Sequence, residues 1–99
     1  MINASAVNAI TSGENEKVKW WEKNGIVTVK IKDSITYAIN EVLAEGAPPS
    51  ITGERYKVMA TMVTSSTTRG FWIDPDGKII AASGVSTAQA VPAFGMYQC

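Results

Sequence analysis

Asn24-Gly25, set between two alternating runs, constrains this chain more than any other dipeptide in it. Before it stands Lys17-Val18-Lys19-Trp20-Trp21-Glu22-Lys23, and after it Ile26-Val27-Thr28-Val29-Lys30-Ile31-Lys32. Both turn residues tolerate positive φ, which a two-residue hairpin needs, so the stretch predicts a β-hairpin over roughly residues 16–32. With Asn24 and Gly25 as the central pair, Trp20 faces Val29 and Val18 faces Ile31. On the other face Trp21 meets Thr28, Lys19 meets Lys30, and Lys17 meets Lys32. One face is apolar. The other carries lysines around an outward tryptophan, and like charges placed opposite each other repel unless water, an acid or an anionic partner relieves them.

At 99 residues the chain is read as one domain, residues 1–99. A chain of this size buries roughly 65% of its unfolded surface, enough for one modest core. Nine basic and nine acidic side chains cancel, so no whole-protein field draws in nucleic acid or membrane, and electrostatic recognition has to come from local segregation. Such segregation is present: Lys17, Lys19, Lys23, Lys30 and Lys32, five of the nine basic residues, lie in the first hairpin.

Histidine is absent, and the single cysteine is Cys99. The chain therefore lacks the side chain best suited to proton transfer near neutral pH, and one thiol forms neither an internal disulfide nor a zinc site. No metal or cofactor is expected, and Cys99 is read as an inert tail residue. The N-terminal residues have no basic leader or long apolar stretch, and no run approaches the roughly 20 apolar residues of a membrane span. A cytoplasmic protein without a membrane partner is the expectation.

Further along, residues 3–12 read as a short helix capped by Asn3 and stopped by Gly13. Asp33-Ser34 opens a second predicted helix through about Glu45, with Ile35, Ile39, Val42 and Leu43 on one face and Gly46 and Pro48-Pro49 ending it. After a Gly/Ala/Pro/Ser/Thr linker, residues 55–64 read as a central strand, apolar on both faces. Phe71-Trp72-Ile73 and Lys78–Ala82 flank Asp74-Pro75-Asp76-Gly77, a type I turn with a glycine bulge and hence a second hairpin. Phe71 and Trp72 are adjacent in a strand and point to opposite faces. Ser86 caps a third short helix, Thr87 to Val91, and Ala93 to Cys99 reads as either a last strand or a frayed tail. The expected fold is α+β: an antiparallel sheet of about five strands, with two to three short helices mainly on one face.

Two candidate walls of a binding site follow. The first is Lys19, Trp21, Lys30 and Lys32, where an indole can stack a base while ammonium groups meet phosphates. The second is the loop Thr64–Gly70, where five hydroxyl residues, Thr67 and Thr68 among them, precede Arg69 and its two-pronged fork for oxyanions. That loop lacks Walker spacing, and Asp74–Gly77 lacks the alternating acids of a calcium loop. No Ser-x-x-Lys or Gly-x-Ser-x-Gly motif is present, so catalysis is not expected. The leading reading is a small non-catalytic binding protein for an anionic ligand or surface: a nucleotide, a nucleic acid, or the nucleic-acid-binding site of a host protein. Inhibitors and sequestering proteins of the phage or mobile-element type have this size and kind. A homo-oligomeric assembly subunit is the alternative, with its outward aromatics buried between identical chains. A small enzyme using carboxylates or hydroxyls stands third.

Overall fold

The structure, a computed structural model, describes residues 11–99. Its described part is all-β. Eight strands form one sheet: β1 (Ser12–Glu14), β2 (Val18–Lys23), β3 (Ile26–Ile31), β4 (Val42–Ala44), β5 (Tyr56–Met62), β6 (Thr68–Ile73), β7 (Ile79–Ala81) and β8 (Ala93–Gln98). Their order across the sheet is β1-β2-β3-β8-β5-β6-β7-β4, and every pairing is antiparallel. The sheet curls into a nearly closed barrel whose two outer strands, β1 and β4, meet through side chains. Asn15 donates from Nδ2 to the Leu43 carbonyl at 2.6 Å, and Lys17 pairs with Glu41 across the same seam.

The first hairpin has the register its sequence predicts: Trp20 opposite Val29, Val18 opposite Ile31, Trp21 opposite Thr28 and Lys19 opposite Lys30. The Lys32 N–H donates to the Lys17 carbonyl at 2.9 Å and carries that ladder one step further. Asn24 and Gly25 both take positive φ, 53° and 81°, as a two-residue turn requires. The second hairpin also forms. Gly77 N–H donates to Asp74 O at 2.9 Å, Asp74 N–H to Lys78 O at 3.0 Å, and Gly77 has φ 88°. β5 is central, between β8 and β6, but only one of its faces is apolar inside the barrel: Val58, Ala60 and Met62 point in, while Lys57, Met59 and Thr61 are exposed.

The interior is filled by inward positions of every long strand: Val18 and Trp20, Val27, Val29 and Ile31, Phe71 and Ile73, Ala93 and Tyr97. Small barrels are packed in this way by alternate residues along each strand. Gly95 of β8 also faces inward, where it leaves room for Val58 and Phe71. The loop between β4 and β5 closes one end: Ala47 and Ser50 are buried there, and the Tyr97 hydroxyl donates to Pro48 O at 2.6 Å. Residues 32–41 and 82–92 cover the other end, joined by the reciprocal Tyr37–Val85 bridge and by Ser34 N–H to Gln89 O.

The expected α+β class is overturned, because no helix occurs among the described residues and eight strands replace the five expected. The helix expected over 33–45 is instead irregular chain leading into β4. Ser34 and Asn40 adopt left-handed φ of 61° and 67°, which a continuous helix excludes. The apolar spacing was misleading: Ile39 is 60% and Val42 45% exposed, while Tyr37 and Leu43 are buried. Five of residues 35–42 (Ile35, Thr36, Tyr37, Ile39, Val42) are β-branched or aromatic, poor helix formers that suit extended chain. The expected Thr87–Val91 helix is irregular chain, drawn by the Ser34–Gln89 bond across the barrel end. Ala93–Gln98 is a strand in the middle of the sheet, not a tail. The helix expected over residues 3–12 lies almost entirely outside the described residues, and Gly13, read as its stop, sits within β1.

Candidate functional site

The alternation of β2, β3 and β8 sorts this part of the barrel into an inner and an outer surface. Outward, one row runs Glu14–Lys19–Lys30–Phe94–Thr61–Thr68 across β1, β2, β3, β8, β5 and β6. The neighbouring row runs Ser12–Trp21–Thr28–Met96. Strands lie about 4.8 Å apart and directly opposed Cβ atoms about 5 Å apart, so Lys19, Lys30 and Trp21 form one patch with Phe94 and Met96 beside them. Lys19 is exposed, Trp21, Lys30 and Phe94 are half-buried, and Met96 is 66% exposed.

The repulsion implied by opposed lysines is relieved in part by one acid. Glu14 follows Lys19 in the row, but its carboxylate pairs with Lys32 at 2.6 Å. Lys32 also donates to Asn15 O at 2.7 Å. Lys32 is thus committed to the seam. Among the described residues no carboxylate lies within ion-pair distance of Lys19 or Lys30. Charge on the barrel as a whole is sorted the same way. Of the acids, only Glu14 and Glu22 lie in strands, whereas Lys19, Lys23, Lys30, Lys57 and Arg69 do.

Trp72 is the outward member of its pair with Phe71, which is fully buried. The Arg55 guanidinium and Lys57 ammonium lie over its ring, 4.9 and 5.4 Å from the centroid. Arg55 is held there by a 2.8 Å bond from Nε to Asp74 Oδ1. The strand alternation therefore places a half-buried aromatic beside basic side chains twice on the outer surface.

The two walls expected from the sequence are not brought together. Thr67 and Thr68 are exposed, and Thr68 ends the outer row three strands from Lys30. Arg69 stands opposite Ala60, an inward position, and faces the barrel end on the other side of the sheet. Phe94 and Met96 are outer-face residues that sequence reasoning missed. The signal was there, in the alternation Ala93-Phe94-Gly95-Met96-Tyr97, but a terminal segment containing glycine reads equally as a tail.

A scan against protein-family models found no match, and a search of curated proteins found no relative. Among the described residues no helix is long and apolar enough to cross a membrane, and no cluster of three or more metal-ligating side chains occurs.

The seam next to the patch is expected to respond to acid. The bond from Lys32 holds the Glu14 carboxyl below its usual range, and the bond from Lys17 does the same for Glu41. A carboxyl depressed in the folded state stabilises the fold above its unfolded pKa, and that stabilisation is lost as pH falls through the folded value. The melting temperature is therefore expected to hold through neutral pH and to fall below about pH 4. In Glu14→Gln/Glu41→Gln that fall should be shallower. Thermal melts of the two proteins from neutral pH to about pH 2.5 check this.

Proposed function

We propose that this protein is a non-catalytic binder of a single-stranded nucleic acid or a nucleotide, held on the outer surface of β2, β3 and β8. The observation that carries the reading is the patch itself. Lys19 and Lys30, opposed and without ion-pair partners among the described residues, stand beside the half-buried indole of Trp21, with Phe94 next in the lysine row. Bases stack on such rings while phosphates meet the ammonium groups, at about 1–3 kcal/mol per stacked base. An anion between the lysines also removes their mutual repulsion. The nucleic-acid site of another protein is itself basic and would meet the same lysines unfavourably, so the acidic strand is the better complement.

The test is fluorescence anisotropy with a labelled single-stranded oligonucleotide. Affinity should drop by about sevenfold between roughly 50 and 200 mM salt if two phosphates, one per unpaired lysine, are neutralised. Lys19→Glu/Lys30→Glu should lower affinity by about 100-fold with little change in melting temperature, and Trp21→Ala by about tenfold. Binding that ignores both salt and these substitutions would refute the reading. The exposed Met59 and Met96 give the assembly alternative a specific basis. A native mass above the monomer that collapses to monomer in Met96→Lys would favour it.

A further inference from the structure

We propose that the end of the barrel covered by residues 82–92 holds a second anion site, built for a single phosphate group by Arg69, Tyr37, Ser86, Thr87 and Gln89. It is separate from the outer patch and does not depend on the reading given above.

Arg69 projects inward at the end of β6, half-buried. Among the described residues its guanidinium has no carboxylate within ion-pair distance, and its one hydrogen bond is from Nη1 to its neighbour's carbonyl, Thr68 O, at 3.2 Å. An arginine so placed has most of its donors free, and its fork matches phosphate geometry. Arg69 borders a groove of about 200 Å³ whose other walls are Gly84, Val85, Ser86, Thr87 and Gln89. Two hydroxyl residues and Gln89 thus border the same groove as Arg69, and the Gln89 carboxamide donates from Nε2 to Thr87 O at 3.2 Å. Thr67 and Thr68, expected to serve Arg69 from its own loop, do not line this groove, whereas Ser86 and Thr87 of the facing strap do.

Tyr37 supplies the independent observation. The residue is only 6% exposed, and its hydroxyl is buried with no hydrogen-bond partner in the protein. Leaving a buried hydroxyl unpaired costs about 1–3 kcal/mol, so such an atom in a native fold calls for an explanation. Tyr37 and Arg69 line one small cavity, which shares Val85 and Gln89 with the groove and is otherwise bordered by Lys32 and by apolar residues such as Ile31 and Met62. It measures about 20 Å³, which accommodates about one water-sized group. In the proposed complex a small shift of the strap lets one oxygen, of the bound phosphate or of a water attached to it, accept from this phenol. Burial raises the Tyr37 pKa while the nearby Arg69 charge opposes the rise, so at neutral pH the hydroxyl keeps its proton to donate. The groove is smaller than the roughly 300–1,000 Å³ of sites that enclose a drug-sized ligand. It therefore takes a phosphate group with the rest of its bearer outside.

The experiment is a titration of the full chain with inorganic phosphate, followed by amide chemical shifts, with acetate at matched ionic strength as the second arm. Saturable shifts confined to Gly84–Gln89 and Arg69 are expected with phosphate, with no saturation in acetate. Arg69→Gln should weaken phosphate binding by about tenfold or more, and Tyr37→Phe by about threefold to tenfold. Tyr37→Phe removes only an oxygen and keeps the fold, so it remains informative even if Arg69→Gln does not fold. Lys19→Glu/Lys30→Glu should leave phosphate binding unchanged, which separates this site from the outer patch. Absence of saturable shifts with phosphate, equal saturation by acetate, or full affinity in Tyr37→Phe would each overturn the assignment.

Discussion

Trp20→Ala is expected to lower folding stability by about 3–5 kcal/mol, whereas Trp21→Ala, one residue further on, should cost about 1 kcal/mol. The two side chains are identical and adjacent, so only their faces differ. Trp20 is 2% exposed and its indole fills the barrel under β1. A Cβ on Gly13, its cross-strand partner, would lie 2.5 Å from Trp20 Nε1, which shows how closely the ring is covered. Alanine there leaves a cavity among inward side chains held by the β2–β3 and β3–β8 ladders. Trp21 points outward and its truncation empties no interior space. Urea denaturation of both variants measures the difference. A reversed order, with Trp21→Ala the larger loss, would mean that β2 is shifted by one residue, since a single-residue slip exchanges the faces of a strand.

The second large effect is expected at Gly95. Glycine within a strand is ordinarily a weakness, and alanine in its place would stabilise by about 0.5–1 kcal/mol. Here the sign should reverse. A Cβ on Gly95 would stand 2.9 Å from Val58 Cγ1 and 3.2 Å from both Ala60 Cα and Phe71 Cε1. The valine methyl can rotate away, but the Ala60 backbone and the buried Phe71 ring have nowhere to move. Gly95→Ala should therefore lose about 1 kcal/mol and Gly95→Val about 3 kcal/mol by overpacking, read from the urea midpoint at constant slope. A gain in stability for Gly95→Ala would show that β8 is less closely apposed to β5 than described.

Both positions show how far the sequence could be read. Trp20 was legible because Asn24-Gly25 fixes a register, and a register fixes faces. Asp74–Gly77 was legible for the same reason: turn chemistry acts over four residues and owes little to the rest of the chain. Gly95 was not, because its role depends on Val58 and Phe71, distant in sequence. Ile35, Ile39, Val42 and Leu43 mimic a helical stripe only by spacing. What decided their conformation was the Tyr37–Val85 bridge and the demand of a barrel for strands at its seam. Similarly, the composition near Arg69 suggests an oxyanion fork, yet the hydroxyl residues that share a groove with it come from a segment some seventeen residues on.

The seam between β1 and β4 gives the barrel an unequal strength around its girth. Elsewhere neighbouring strands are laced by backbone ladders, but here the described contacts are one carboxamide, Asn15 on Leu43, and one ion pair, Lys17 with Glu41, made mostly by residues flanking the two three-residue strands. Such a join contributes little on its own, and transient opening concentrates where backbone bonds are fewest. Opening is therefore expected first at this seam, as in a tube slit along one side, with the wall opposite kept whole. Lys19 and Trp21 sit one strand in from that slit and Lys30 two, so a ligand on the proposed patch would brace the wall beside it.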